Sequence, residues 1–339
     1  MPDDRYTHGH EEPVLRSHSW RTAANSAGYL LAHLRSGMSL LDVGCGPGSI
    51  TRDLARAVAP GRVVGMDRDA GVIGIANAEI AADAVPAVPD AVPTVADAAP
   101  TSTPTAPLTF EVADVYDLPY DDGEFDVVHA HQVLQHLSDP VAALIEMSRV
   151  TRPGGLVAVR DSDYAAIAWY PPSLGLDTWR RVYRTVARAN GAEPDAGRHL
   201  LAWAHAAGFA DVTPSSSTWC FATPSDREWW GNLWADRTAE TAFGRQAIDL
   251  GLTSQARLEV VAEAWRNWAA DEDGWIVIVH GEILIRVPER PFRGGIAPSA
   301  KWWSQRGELL AGVGAGGPTP GSAPGHSNPV GGQRDEVNG

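Results

Sequence analysis

LLDVGCGPGSIT, residues 40–51, runs an apolar stretch past one acid and then frees the backbone at Gly44, Gly46 and Gly48. A short apolar run that ends in glycine reads as a buried strand meeting a turn. The next residues, SITRDLARAV (49–58), carry apolar side chains at helical spacing. The glycines therefore lie between a strand and a helix N-terminus, where exposed backbone N–H groups commonly meet a ligand. Ser49 stands where a pyrophosphate-binding loop would want its third glycine, so the loop alone does not name that ligand.

Working outward, the rhythm repeats. GRVVGMD (61–67), LTFEVAD (108–114), FDVVHAH (125–131) and GGLVAVRD (154–161) read as strands. DAGVIGIANAEIAA (69–82) and PVAALIEMSRV (140–150), with Pro140 at its start, read as helices. This alternation predicts an α/β fold, a doubly wound and mostly parallel sheet with right-handed crossovers. Upstream, 19–35 has helical spacing and a stop at Gly37. Beyond Asp161, residues 174–190, 197–209 and 225–271 read as helical, while 210–221 and 274–288 read as strands. Residues 83–107 are rich in Ala and Pro and deny a continuous helix or central strand, so they are expected to be an exposed, disordered insertion. The expected organisation is a flexible arm at 1–16, a core at 17–161, substrate-side helices and closing strands of the same domain at 162–288, and a largely disordered Gly/Pro-rich tail at 289–339.

The 339 residues carry a net charge of -15 without a dense Lys/Arg run, which argues against nucleic acid as a partner. Two cysteines, Cys45 and Cys220, make no disulfide framework and suit a cytoplasmic setting. The polar, acidic N-terminus does not read as a signal peptide. Nor does any apolar run approach the ~20 residues of a membrane helix. The expected state is a monomer or homodimer.

Four neighbours refine the glycine loop. Asp67 ends the second strand, and in a doubly wound sheet it opens on the same crevice as the loop, able to accept hydrogen bonds from a ribose. Asp114 follows the third strand. HAHQVLQHL (129–137) takes the fourth strand into a polar turn, and RVTRPGGLVAVRD (149–161) enters the fifth through Pro-Gly-Gly. With LLDVGCGPG, VVGMD and VADVYDLPYDDGEFDVVHAHQVLQHL in order over residues 38–161, the chain resembles the class I S-adenosylmethionine-dependent methyltransferases, in particular the broad group that includes the ubiquinone/menaquinone-biosynthesis C-methyltransferases.

The resemblance implies a Rossmann-like seven-stranded sheet with its last strand antiparallel and an added helical layer. It makes 17–161 the S-adenosylmethionine-binding core and lays the 19–35 helix over the cofactor mouth. It gives Gly44, Cys45, Gly46 and Gly48 to the amino-acid tail of S-adenosylmethionine, where any Cβ at Gly44 or Gly46 would collide with that tail, and Asp42 to its ammonium. Asp67 takes the ribose, Arg68 flanks the adenine, Asp114 and Val115 read its edge, and His131 lies beside the methionine portion. The implied activity is methyl transfer to a small-molecule acceptor on carbon, oxygen or nitrogen, with His131 as the candidate base and Asp161 and Tyr164 facing the acceptor. The alternatives are an NAD(P)-dependent oxidoreductase and a non-catalytic S-adenosylmethionine-binding protein. His129, His131 and His136 lack further ligands at metal spacing, so no metal is expected. Of thirteen tryptophans, most are expected in buried helix faces, with Trp169 or Trp229 reaching the acceptor.

Overall fold

The computed structural model describes residues 20–83 and 106–289. The expected arm at 1–16, residues 84–105 of the expected insertion and residues 290–339 of the expected tail lie outside the described residues.

The chain opens with two one-turn helices, α1 (Ala23–Ser26) and α2 (Gly28–Leu31), where the spacing predicts one longer helix. The break is at Ala27, whose backbone leaves the helical region (φ -133°, ψ 19°). Thr22 and Asn25 cap the start of α1 reciprocally, each side chain accepting from the other's backbone N–H. The strand–helix alternation then appears as read: β1 (Ser39–Val43), α3 (Ser49–Val58), β2 (Arg62–Asp67), α4 (Ala70–Asp83), β3 (Leu108–Val112), β4 (Phe125–His131), α5 (Pro140–Val150) and β5 (Thr151–Ser162). Helix α5 starts where Asp139 accepts from Ala142 N–H and Pro140 fills the first position.

Beyond β5 come β6 (Ala168–Tyr170), α6 (Leu174–Ala189), α7 (Leu200–Ala206), β7 (Val212–Phe221), α8 (Pro224–Glu240), α9 (Ala242–Asp249), α10 (Gln255–Ala270) and β8 (Trp275–Arg286). Strands β3, β2, β1, β4 and β5 lie side by side in that order and run parallel. The closing strand β8 is antiparallel to β5 on one edge and to β7 on the other, as the resemblance implies. The sheet has eight strands rather than seven, because the three residues of β6 pair with Trp275, Ile276 and Val277 at the start of β8.

Period-two alternation splits the sheet residues between two cores. Leu40, Val63 and Val127 pack with Leu54, Val58 and Leu30 on the α3 side. Leu41, Val64 and Val128 pack with Leu144, Met147 and Trp203 on the other. A third cluster is aromatic: Trp179 of α6, Trp230 and Trp234 of α8, and Trp265 and Trp268 of α10 pack on Ile276 and Ile278 of β8. The chain moves from β1 outward through β2 to β3, then returns to β4 on the other side of β1. The loops after β1 and β4 therefore diverge, and a crevice opens at the carboxyl ends of those strands.

Trp265 is fully buried, with its ring 4.9 Å from that of Trp179 and 6.0 Å from that of Trp234. Trp265→Ala is expected to cost about 3–5 kcal/mol of unfolding free energy, measured by urea titration, because the helical layer cannot close over so large a void.

Candidate active site

A cavity of about 420 Å³ occupies the crevice. Part of its wall is the loop after β1, the ends of β2 and β3, and the turn after β4. The rest is aromatic, drawn from Tyr164, Trp179, Trp219, Trp230 and Trp234, with Ile276 and Ile278. Of the expected cofactor-side positions, all but Gly48 border this one space: Asp42, Gly44, Cys45, Gly46, Asp67, Arg68, Asp114, Val115 and His131.

Gly44, Gly46 and Gly48 all adopt left-handed backbone (φ 65°, 56° and 83°), which explains the need for glycine. The collision expected at Gly44 is with the protein itself: a Cβ there would lie 2.4 Å from Val133 Cγ2. Gly48 is closed in the same way by the Phe110 ring and serves as the N-cap position of α3. Cys45 is largely buried, and burial, with the nearby Asp42 and Asp67 carboxylates, pushes its thiol well above the usual range. It therefore stays a protonated filler.

Asp67 accepts from Gly46 N–H (3.1 Å) and Asp69 N–H (3.0 Å) and still borders the cavity, so the loop and the end of β2 hold the carboxylate in place. Asp114 is fixed likewise by Tyr116 N–H (3.0 Å). Asp42 borders the cavity and has a structural part besides. Its oxygens accept from Thr51 Oγ1 (2.6 Å) and from His129 Nδ1 (2.7 Å), which makes it a fastening between β1, α3 and β4. His129 is fully buried in that contact.

The three expected catalytic side chains fare differently. His131 borders the cavity, but burial, then the charge of Arg160, holds its imidazole well below the ordinary histidine value. Its Nδ1 lies 3.5 Å from Arg160 Nη1, a group that can only donate, so the neutral ring carries its proton on Nε2. Nε2 is buried and has no partner among the described residues, so the neutral ring serves as a packed part of the wall. Tyr164 borders the cavity too, stacked on Tyr183 at 4.2 Å, and burial raises its phenol. Asp161 does not face the acceptor region. It is fully buried, is absent from the cavity wall, and accepts from Gln135 N–H (3.2 Å). Burial pushes its carboxyl up to about 8.

Other wall residues escaped the sequence reading. Trp169 and Trp229 are not on the wall; Trp169 carries Arg180 over its ring, and Trp229 packs on Trp20 and Phe221. Trp230 and Trp234 reach it instead, being one turn apart on the buried face of α8. Arg237 lies on the same face and also borders the cavity. Gln132, the non-glycine residue with left-handed backbone (φ 55°), turns the chain after β4 and accepts from Arg21 (2.8 Å). A helical-periodicity reading of 224–240 from Trp230 would have found the α8 stripe. No sequence signal announced Val133 or Arg21.

The chain is similar to known proteins over most of its length. Residues 41–159 match the family described as a methyltransferase domain. An uncharacterized methyltransferase of Schizosaccharomyces pombe is 32% identical over 288 residues, covering 84% of this chain and 97% of that protein. A probable methyltransferase of Aspergillus luteorubrus is 29% identical over 294 residues, 83% of this chain and 96% of that one. A ubiquinone/menaquinone biosynthesis C-methyltransferase of Bdellovibrio bacteriovorus is 34% identical over 125 residues, 37% and 44% of the two chains.

The buried Asp161 carboxyl gives a pH test. An acid whose pKa is higher in the folded chain (about 8) than in the unfolded chain holds its proton more tightly when folded. Stability relative to an uncharged isostere should then fall as pH rises from about 4, the unfolded value, and level off above about 8. Urea titrations of wild type and Asp161→Asn across this range should show the variant gaining steadily on wild type, with no further gain at higher pH.

Proposed function

Because the chain belongs to the S-adenosylmethionine-dependent methyltransferase family, we propose that it methylates a small molecule held against the tryptophan wall, with donor and acceptor sharing one cavity. The observation that carries this reading is the continuity of that space, from the glycine loop after β1 to the indoles of α6 and α8.

The residues suit the donor. The left-handed turn at Gly44 and Gly46 keeps side chains away from the main chain, so the amino-acid tail can lie along it. Asp67 offers its carboxylate to the two ribose hydroxyls, and Asp114 with the Val115 backbone meets the adenine edge, flanked by Arg68. Cys45 and Gly48 complete the loop. Asp42, Asp67, Asp69 and Asp114 all border this part of the cavity, a negative lining that favours a ligand with two cationic groups. When bound, S-adenosylmethionine supplies an electrophilic methyl group on a positively charged sulfur.

The remaining work is alignment and exclusion of water. Displacement at a methyl group requires nucleophile, carbon and leaving sulfur in line, and a closed apolar wall fixes the acceptor's approach. Tyr164 serves as a donor that orients it, through its protonated phenol, and the His131 ring forms part of the wall. Neither acts as a base, so the acceptor atom enters the reaction already able to attack.

Asp67→Ala is expected to weaken S-adenosylmethionine binding roughly hundredfold, from the loss of two charge-assisted hydrogen bonds. Isothermal titration measures this, and unaltered affinity would refute the ribose assignment. The catalytic reading is tested by screening acceptors with the wild-type chain and S-adenosylmethionine. Mass spectrometry should find one acceptor gaining a CH₂ as S-adenosylhomocysteine appears. Donor binding without transfer to any small molecule would point to a non-catalytic role.

A further inference from the structure

We infer that the acceptor is an organic anion, an aromatic or apolar body bearing a carboxylate, and that its charged end lies against Arg237. The inference rests on the methyl-transfer reading for the word acceptor, but the anion site stands on its own observations.

Arg237 lies on the buried face of α8, only 5% exposed, and borders the cavity. Its guanidinium sits 4.7 Å from the centroid of the Trp234 ring. Among the described residues no carboxylate pairs with it, and its Nε–H has no acceptor. The contrast with Arg160 is direct: that buried arginine meets Glu282 at 3.3 Å and Ser217 at 3.0 Å. An interior cation without a counter-charge among the described residues is costly, and an anion in the cavity would supply that charge.

The distribution of charge along the wall agrees. Its carboxylates belong to Asp42, Asp67, Asp69 and Asp114, at or just beyond β1, β2 and β3. None borders the aromatic part, where Arg237 is joined by Arg21 and His136. Burial, then the charges of Arg21 and Arg237, pulls His136 down to about 3, so the imidazole adds no second cation and registers the positive field around it. Trp179 and Trp230 turn the carbon edges and faces of their rings to the cavity, their indole nitrogens being buried. This side of the cavity thus offers apolar ring surface and the Arg237 guanidinium without a carboxylate partner among the described residues, which calls for an anionic group on an apolar body. A planar carboxylate matches the fork of a guanidinium. Indoles and isoleucines take the apolar body.

The test uses the full chain saturated with S-adenosylhomocysteine and two probes of nearly equal shape, 2-naphthoate and 2-naphthamide. Isothermal titration should find the acid binding at least about tenfold more tightly than the amide. Arg237→Gln should erase that preference, and Arg237→Lys should keep part of it. Affinity for S-adenosylhomocysteine, measured in each variant, should be unchanged and so report an intact donor site. Equal affinity for the two probes, failure of both to bind, or a preference that survives Arg237→Gln would overturn the inference. If Arg237→Gln does not fold, the wild-type comparison and Arg237→Lys still decide. A preference for the acid together with no methyl transfer to any acceptor would leave the anion site standing and remove the catalytic reading alone.

Discussion

The architecture turns on one buried carboxylate. Asp42, 2% exposed in the middle of the sheet, accepts from Thr51 on α3 and from His129 on β4. These contacts tie together the three elements that border the crevice. The loop between β1 and α3 is thereby held at both ends, and its shape is completed by packing: Val133 presses on Gly44, and Phe110 on Gly48. The loop is set by the protein's own side chains, so little ordering cost remains for a ligand to meet. A buried acid with satisfied oxygens is well suited to this duty, because each hydrogen bond lost would leave charge stranded away from water.

A second polar knot lies where the parallel sheet meets its antiparallel end. Arg160 of β5 pairs with Glu282 of β8, and Ser215 and Ser217 of β7 donate to the same glutamate at 2.7 and 2.5 Å. The Arg160 guanidinium also lies 5.0 Å from the centroid of the Trp219 ring. Three adjacent strands are thus joined through one ion pair at the level of the cavity. Burial lowers Arg160 to about 10, still far above neutrality, so its charge persists and adds to burial in keeping His131 unprotonated. The fold therefore decides the chemistry of His131 from behind, through a strand neighbour.

Most of the fold was legible because parallel α/β structure writes itself locally. Each strand of the first half is a compact apolar run, and each turn has its glycine or proline. The place of Asp67 and Asp114 on the cavity wall was legible for the same reason: they stand at strand ends, and topology alone brings such ends together. The failures have a common cause. Asp42 and Asp161 sit in strands like ligand-facing acids, yet one borders the cavity and the other is turned toward Gln135, and only three-dimensional contacts separate these fates. The split of the leading helix at Ala27 and the three-residue β6 fall below the length at which periodicity speaks. Trp230 differs from Trp229 by one position in the chain, but 100° of helical rotation sends it to the cavity.

The polarity of the cavity bears on why transfer would proceed there. One part of its wall is lined by carboxylates, the other by guanidinium groups and indole rings, and both histidines on the aromatic side are held neutral. Methyl transfer disperses the sulfonium's charge toward the acceptor, and water slows such a step because it solvates the concentrated charge of the separate partners best. Walls that hold each partner by opposite charge, while their apolar surfaces exclude solvent, remove that penalty without a proton transfer. A base would be redundant in this arrangement, which agrees with a His131 imidazole kept neutral first by burial and then by the charge of Arg160.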